Sequence, residues 1–192
     1  MLSIIAKYIV KPFKNFPYLG RTRFWLLYWA YRLTGWHIRQ DEWAWVLNYL
    51  PNLASWQVVK VLDVGCARNL FCFEIAGRGY ELTGVDLEKP VKGFPGSFVF
   101  TDIRQFNAFG YDFVTCISVL EHIGDDGRGN LQNQVEALNS MVQALKVGGR
   151  LLLTCPTKEF AQGHEWHGFN ITVLLAMLPS NSQIIEYTER AG

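Results

Sequence analysis

From about residue 57 onward, short runs of β-branched and apolar residues alternate with segments of helical period, and an aspartate stands in or just after each of the first three runs. Residues 58–64 (VVKVLDV) predict a first strand holding Asp63, and 69–77 the helix after it. Residues 80–85 predict a second strand ending at Asp86, 98–101 a short third ending at Asp102, and 112–118 (DFVTCIS) a fourth. Residues 131–145 place Leu131, Val135, Leu138, Met141, Val142 and Leu145 at helical spacing, with Gly148-Gly149 as the expected stop. Residues 150–155 (RLLLTC) read as a fifth strand closed by Pro156. Asn170 is placed to cap a helix over 171–178, and 183–187 are a candidate sixth strand. Strands separated by helices imply βαβ units and a parallel sheet buried on both faces. Such a sheet is doubly wound and binds ligands at the carboxyl ends of its strands.

The aspartates therefore fall where a ligand would lie. An acid ending the second strand is placed to accept hydrogen bonds from both ribose hydroxyls of an adenosine cofactor, and one ending the third can reach an adenine amino group. The turn after the first strand is Gly65-Cys66-Ala67-Arg68-Asn69. Gly65 permits close backbone approach or a positive φ, Ala67 is small, and Asn69 tolerates the left-handed region.

These residues carry a family resemblance. Val61-Leu62-Asp63-Val64-Gly65-Cys66 resembles motif I of the class I S-adenosylmethionine-dependent methyltransferases. Gly79 to Asp86 (GYELTGVD) resembles their second strand and ribose acid. Tyr111-Asp112-Phe113-Val114 through Glu121-His122-Ile123 is similar to the fourth strand and the segment after it, and Leu145 to Leu153 (LKVGGRLLL) to the fifth-strand motif. The stretch Glu121-His122-Ile123-Gly124 with its Gly/Arg-containing loop looks like small, type 11-like bacterial members associated with glycans or the cell envelope.

The resemblance implies an α/β, Rossmann-like, doubly wound and mainly parallel sheet with helices on both faces, and S-adenosyl-L-methionine as cofactor. It implies that Asp63, Gly65, Cys66, Ala67 and the backbone near Ser118 surround the methionine end. Asp86 with Leu87 would hold the ribose side, and Asp102 with Ile103 the adenine. The implied reaction is methyl transfer to an unidentified small-molecule, glycan or lipid-linked acceptor. The turn departs from the family's Gly-x-Gly-x-Gly, since Ala67 and Asn69 fill its second and third glycine positions. A cofactor-binding but inactive regulatory or scaffold domain is thus the alternative. An NAD-type oxidoreductase is disfavoured, because Leu70 fills the last position of Gly-x-Gly-x-x-Gly. Arg68 could pair with the methionine carboxylate; a solvated loop arginine is the plainer reading.

A hydroxyl or amine acceptor can need a base. His122, after the fourth strand, is the first candidate, with a helix-start or packing role as its alternative. His167 in His164-Glu165-Trp166-His167 is the second. Two histidines three apart could hold a metal on a helix, but no third ligand accompanies them and Gly163 argues for a loop, so no metal is expected. Acceptor-site lining and plain loop packing remain the readings for that cluster.

Charge divides the chain near its start. Residues 1–40 hold seven basic and no acidic residues, so the remainder carries −6 against an overall +1. Phe24-Trp25-Leu26-Leu27-Tyr28-Trp29-Ala30-Tyr31 lies between arginines, and basic residues beside large aromatics mark interfacial membrane segments. Residues 1–56 read as a helical, basic and aromatic N-terminal extension, with 41–50 (DEWAWVLNYL) as the helix leading into the first strand, and 57–192 as the methyltransferase domain. Residues 1–33 are a candidate contact for an anionic membrane surface. A helical cap on the domain, lining the acceptor pocket or a dimer contact, is the competing reading. Nucleic acid is disfavoured by the acidic main domain and the lack of an RNA-binding motif.

The expected location is the cytoplasm; peripheral attachment at the inner face of the membrane goes with the membrane reading of residues 1–33. No signal peptide is read, and the longest charge-free run near the start, 24–31, falls far short of the ~20 residues of a membrane span. Cys66, Cys72, Cys116 and Cys155 form no CxxC pair and read as buried reduced thiols. Only five residues come after 183–187, so the family's seventh strand is expected to be missing or cut short. That would leave an edge suited to a partner, a homo-oligomer included.

Overall fold

The computed structural model describes residues 40–54, 56–67, 69–124, 130–156 and 171–178. The sixth strand over 183–187, the caps and histidines of 163–170, Arg68 and the basic run of 1–39 lie outside the described residues.

The described chain begins with helix α1 (Gln40–Tyr49) and continues through β1 (Lys60–Val64), α2 (Phe71–Gly77), β2 (Glu81–Asp86) and β3 (Ser97–Phe100). Then come β4 (Tyr111–Ile117), α3 (Leu131–Ala144), β5 (Leu145–Thr154) and α4 (Ile171–Met177), with 3₁₀ turns over Ile103–Gln105 and Leu120–His122. The five strands form one sheet in the order β3-β2-β1-β4-β5, and every pairing is parallel. The order reverses between β1 and β4, which opens a crevice at their carboxyl ends.

Strand alternation separates two cores. Val61, Phe113 and Ile117 face α1 and α2, where Trp43, Val46, Phe71 and Ile75 are fully buried. Leu62, Val64, Val114 and Cys116 face α3, which contributes Ala137, Leu138, Met141 and Ala144. Helices thus cover both faces, as the near-continuous apolar strands require. Trp43, Val46 and Leu47 of α1, with Leu50 just after its end, follow the i, i+3, i+4, i+7 stripe of an amphipathic helix. This helix falls within the segment read as an extension, yet it shares the core of the sheet.

Two local expectations are corrected. Gly148-Gly149 does not stop the helix: α3 ends at Ala144 and β5 starts at the next residue. The glycines lie in an irregularity of β5, where Tyr111 pairs with Leu145 but Phe113 with Arg150. Gly148 has φ +79°, and a Cβ on Gly149 would lie 2.9 Å from the Tyr111 carbonyl oxygen, so the extra residues need glycine. Asn69 does not adopt the left-handed region. Its Oδ1 instead accepts from Phe71 N at 2.9 Å, holding the start of α2 through its side chain.

Candidate cofactor and methyl-transfer site

The turn after β1 is bound to the end of β2. Gly65 N donates to Val85 O at 2.9 Å, and Ala67 N donates to Asp86 Oδ2 at 2.8 Å. Asp86 Oδ1 accepts from Glu88 N at 2.8 Å. Each carboxylate oxygen has a second lone pair, so Asp86 braces the turn and still has acceptor capacity for ribose hydroxyls. Gly65 has φ +75°, and a Cβ there would lie 2.2 Å from Val119 Cγ2. Glycine is thus required twice, by conformation and by the segment after β4 that packs over the turn.

Asp63 lies opposite Thr115 in the β1–β4 register and is 2 % exposed. Thr115 Oγ1 donates to its Oδ1 at 2.7 Å, while Oδ2 is buried with no hydrogen-bond partner among the described residues. Burial pushes its carboxyl up to about 7; the Thr115 bond opposes this and the charge of Asp86 adds to it. Cys66 is buried behind the turn, and burial also pushes the Cys66 and Cys72 thiols far up and Cys155 to about 12. They stay protonated at neutral pH, as packing residues rather than nucleophiles.

Farther along the rim, Asp102 caps the 3₁₀ turn by accepting from Arg104 N, and its carboxylate is gripped by Arg104 Nε and Nη2, the latter at 2.7 Å. Those bonds hold Asp102 below the usual carboxylate range. The Ile103 side chain is core, so its contribution to a rim site is its backbone. Leu87 is 62 % exposed and lines a groove beyond Asp86 with Pro90, Val91 and Phe100. Ser118 follows β4 and is the one non-glycine residue with positive φ, +47°, among the described residues. His122 closes the next 3₁₀ turn, 43 % exposed, its Nε2 4.0 Å from the buried Glu121 Oε1. His167 lies outside the described residues.

Gly65, Ala67 and Asp86 are thus joined where β1 and β2 end, Asp63 is buried against Thr115 of β4, Cys66 is packed in the core, and Ser118 follows β4. Sequence reading missed Thr115, Val119, Thr154 and Glu42. A polar residue closing an otherwise apolar strand was the available sign for Thr154, and the abrupt Asp41-Glu42 after a basic run for Glu42. Among the described residues no group of three or more His, Cys, Asp or Glu side chains could hold a metal.

An open parallel sheet in this order, a glycine turn after β1 and an acid closing β2 are shared by the Rossmann-like folds that bind adenosine cofactors, the class I S-adenosylmethionine-dependent methyltransferases among them. A family model described as "Methyltransferase domain" matches residues 35–192, and the chain belongs to that family. Curated relatives include two proteins named ubiquinone biosynthesis O-methyltransferase. That from Saccharophagus degradans is 28 % identical over 120 residues and that from Marinobacter nauticus 31 % over 123. Each match covers 56 % of this chain and 48 % of the relative, so the chain spans about half the length of the curated relatives it matches. Among solved structures, the N-methyltransferase NodS from Bradyrhizobium japonicum WM9, in complex with S-adenosyl-L-homocysteine, superposes with a TM-score of 0.60 at 22 % identity, over 77 % of each chain. The 1,6-didemethyltoxoflavin-N1-methyltransferase of Burkholderia thailandensis gives 0.55 at 20 % identity, over 74 % of this chain and 68 % of its own.

The residues present fit the cofactor of this class. Gly65 leaves backbone room that a Cβ would fill, Asp86 keeps acceptor capacity at the end of β2, and Asp63 Oδ2 is a buried acceptor without a partner among the described residues.

Proposed function

We propose that this chain transfers the methyl group of S-adenosyl-L-methionine to an oxygen acceptor on a small or lipid-linked molecule. The observation that carries this is the junction of the Gly65 turn with Asp86 at the β1/β4 switch point. The names of the curated relatives favour oxygen over nitrogen as the methylated atom. The bound cofactor supplies an electrophilic methyl group, and the protein's work is position and electrostatics. Asp86 orients the adenosine by accepting from its ribose, and the Gly65 turn lets the backbone approach. Val119, packed over Gly65, makes the crevice wall apolar and limits water. His122 stands half exposed beyond β4, where it takes the acceptor's proton as general base.

The test is mass spectrometry of extracts incubated with isotope-labelled cofactor, seeking a product that gains one labelled methyl. His122→Ala should bind S-adenosylhomocysteine normally and slow labelling by about 10²-fold or more. Unchanged labelling would remove His122 as the base. A second reading, a binding domain without catalysis, is favoured by the Ala67-Arg68-Asn69 turn and would show binding with no labelled product.

The chain is further proposed to act in the cytoplasm, attached to an anionic inner membrane face through residues 1–33. Support comes from seven basic residues and no acid within residues 1–40. Among the described residues no helix is long and apolar enough to cross a membrane.

A further inference from the structure

The two ends of the sheet differ in character. At the carboxyl end Glu42 Oε1 accepts from Ser118 Oγ at 2.5 Å and Thr154 Oγ1 at 2.9 Å, beside the crevice. The amino end, where β1, β4 and β5 begin, holds large apolar side chains in water. Trp56 and Phe109 are 81 % and 84 % exposed, Val58 69 %, and Val147 wholly. Bonds between their segments bring these four to one end. Lys60 N donates to Asp112 Oδ2 at 2.8 Å, Lys146 Nζ pairs with Asp112 Oδ1, and Gly110 N donates to Ala144 O at 3.0 Å. Clusters of exposed apolar side chains mark interaction surfaces.

Charge narrows the occupant. Lys60, Arg78, Lys146 and Arg150 are exposed at the same end, against the acids Glu81 and Asp112. Residues 41–192 as a whole carry −6, so this end is a basic exception on an acidic domain. A basic face repels the same face of a second copy and attracts an anionic surface. Val58 and Val147 offer no flat face on which a nucleic-acid base could stack, which disfavours single-stranded RNA. A lipid interface suits both features. Apolar tips enter the acyl boundary, while the lysine and arginine heads stay among anionic headgroups.

We propose that the amino end of the sheet, through Trp56, Val58, Phe109 and Val147, rests on an anionic lipid surface. This deepens the membrane reading above and rests on it: residues 1–33 supply the main attraction, and this face sets the orientation. So small an apolar contact does not hold a chain to a bilayer alone, as a single acyl chain does not. Residues 34–39 reach at most about 20 Å when extended, and the 10 residues of α1 rise about 15 Å, so residues 1–33 can lie at the same end. The crevice then opens away from the lipid, which favours a small-molecule acceptor over a lipid-linked one.

An environment-sensitive fluorophore on Val147→Cys in the full chain reads the contact. The unsubstituted chain, whose described cysteines are buried or half-buried, gives the labelling background. Leu131→Cys, exposed at the start of α3, is the control site. With phosphatidylcholine vesicles containing phosphatidylserine, emission at position 147 should shift to the blue and rise about twofold or more, with no change at 131. Trp56→Ser/Phe109→Ser should melt like the wild type, both residues being exposed, and bind these vesicles about tenfold more weakly. A chain that binds the vesicles with no response at 147, or with equal responses at 147 and 131, would overturn the proposal and leave residues 1–33 as the contact. So would a response at 147 without vesicles, to added unlabelled chain or to single-stranded RNA, which would assign the face to a second copy or a nucleic acid. A chain that does not bind the vesicles would overturn the membrane reading itself, and this proposal with it.

Discussion

At position 63 a carboxyl group sits inside the sheet, and its pKa, pushed up by burial to about 7, makes it a titrating element of the fold. The folded state holds this proton more tightly than the unfolded chain, whose aspartates titrate near 4. The stabilisation is therefore full below about pH 4 and is lost as pH rises through about 7. The wild type should lose up to about 3 kcal/mol between pH 5 and 8, and Asp63→Asn should remove that slope; urea unfolding at both pH values reads it. Equal slopes in the two proteins would show that Asp63 is not the titrating group. Gly65→Ala places a Cβ against Val119 at positive φ and should cost about 2 kcal/mol or more. Thermal melting of Gly65→Ala/Val119→Ala should recover part of that loss, the contact being relieved and the backbone strain not.

Helices and strands were legible wherever one residue type dominated a run. The apolar strands 58–64, 80–85 and 112–118 exist within about two residues of their expected bounds, because burial on both faces leaves little choice of residue. Gly148-Gly149 misled because glycine suits a helix end and a sheet irregularity equally, and only the pairing with Tyr111 decides between them. Asp63, Gly65 and Asp86 were legible because strand ends converge in any doubly wound sheet. The Glu42–Ser118–Thr154 contact was not, since it joins residues 36 to 112 positions apart. The helix over 41–50 leading into the first strand was legible and exists as α1, though grouped with the 1–56 segment; its Trp43 is fully buried against Phe71, ring centroids 5.6 Å apart. Trp43→Ala should therefore cost about 3–5 kcal/mol in chemical denaturation, as for a core aromatic. A loss below about 1 kcal/mol would mean that α1 is dispensable to the domain.

For the whole molecule, the direction of α1 ties the two charge regions together. Glu42 holds the rim where β4 and β5 end, while the Tyr80 hydroxyl donates to Pro51 O near the start of β2. Residue 40, where the basic run stops, is thus at the crevice end of the sheet. Co-sedimentation with vesicles containing phosphatidylserine should be strong at low salt, weaken as salt rises, and disappear in a chain lacking residues 1–33. Equal sedimentation of the shortened chain would reject the proposed membrane contact.

The central claim is that the Gly65 turn and Asp86 form a site for S-adenosylmethionine. Calorimetric titration of the full chain with S-adenosylhomocysteine tests it most directly, with NAD as the control and Asp86→Ala as the site variant. The account predicts saturable heat with S-adenosylhomocysteine, none with NAD, and at least about a hundredfold loss of affinity in Asp86→Ala, the equivalent of about 2.7 kcal/mol. No heat with S-adenosylhomocysteine, or equal affinity in Asp86→Ala, would contradict it.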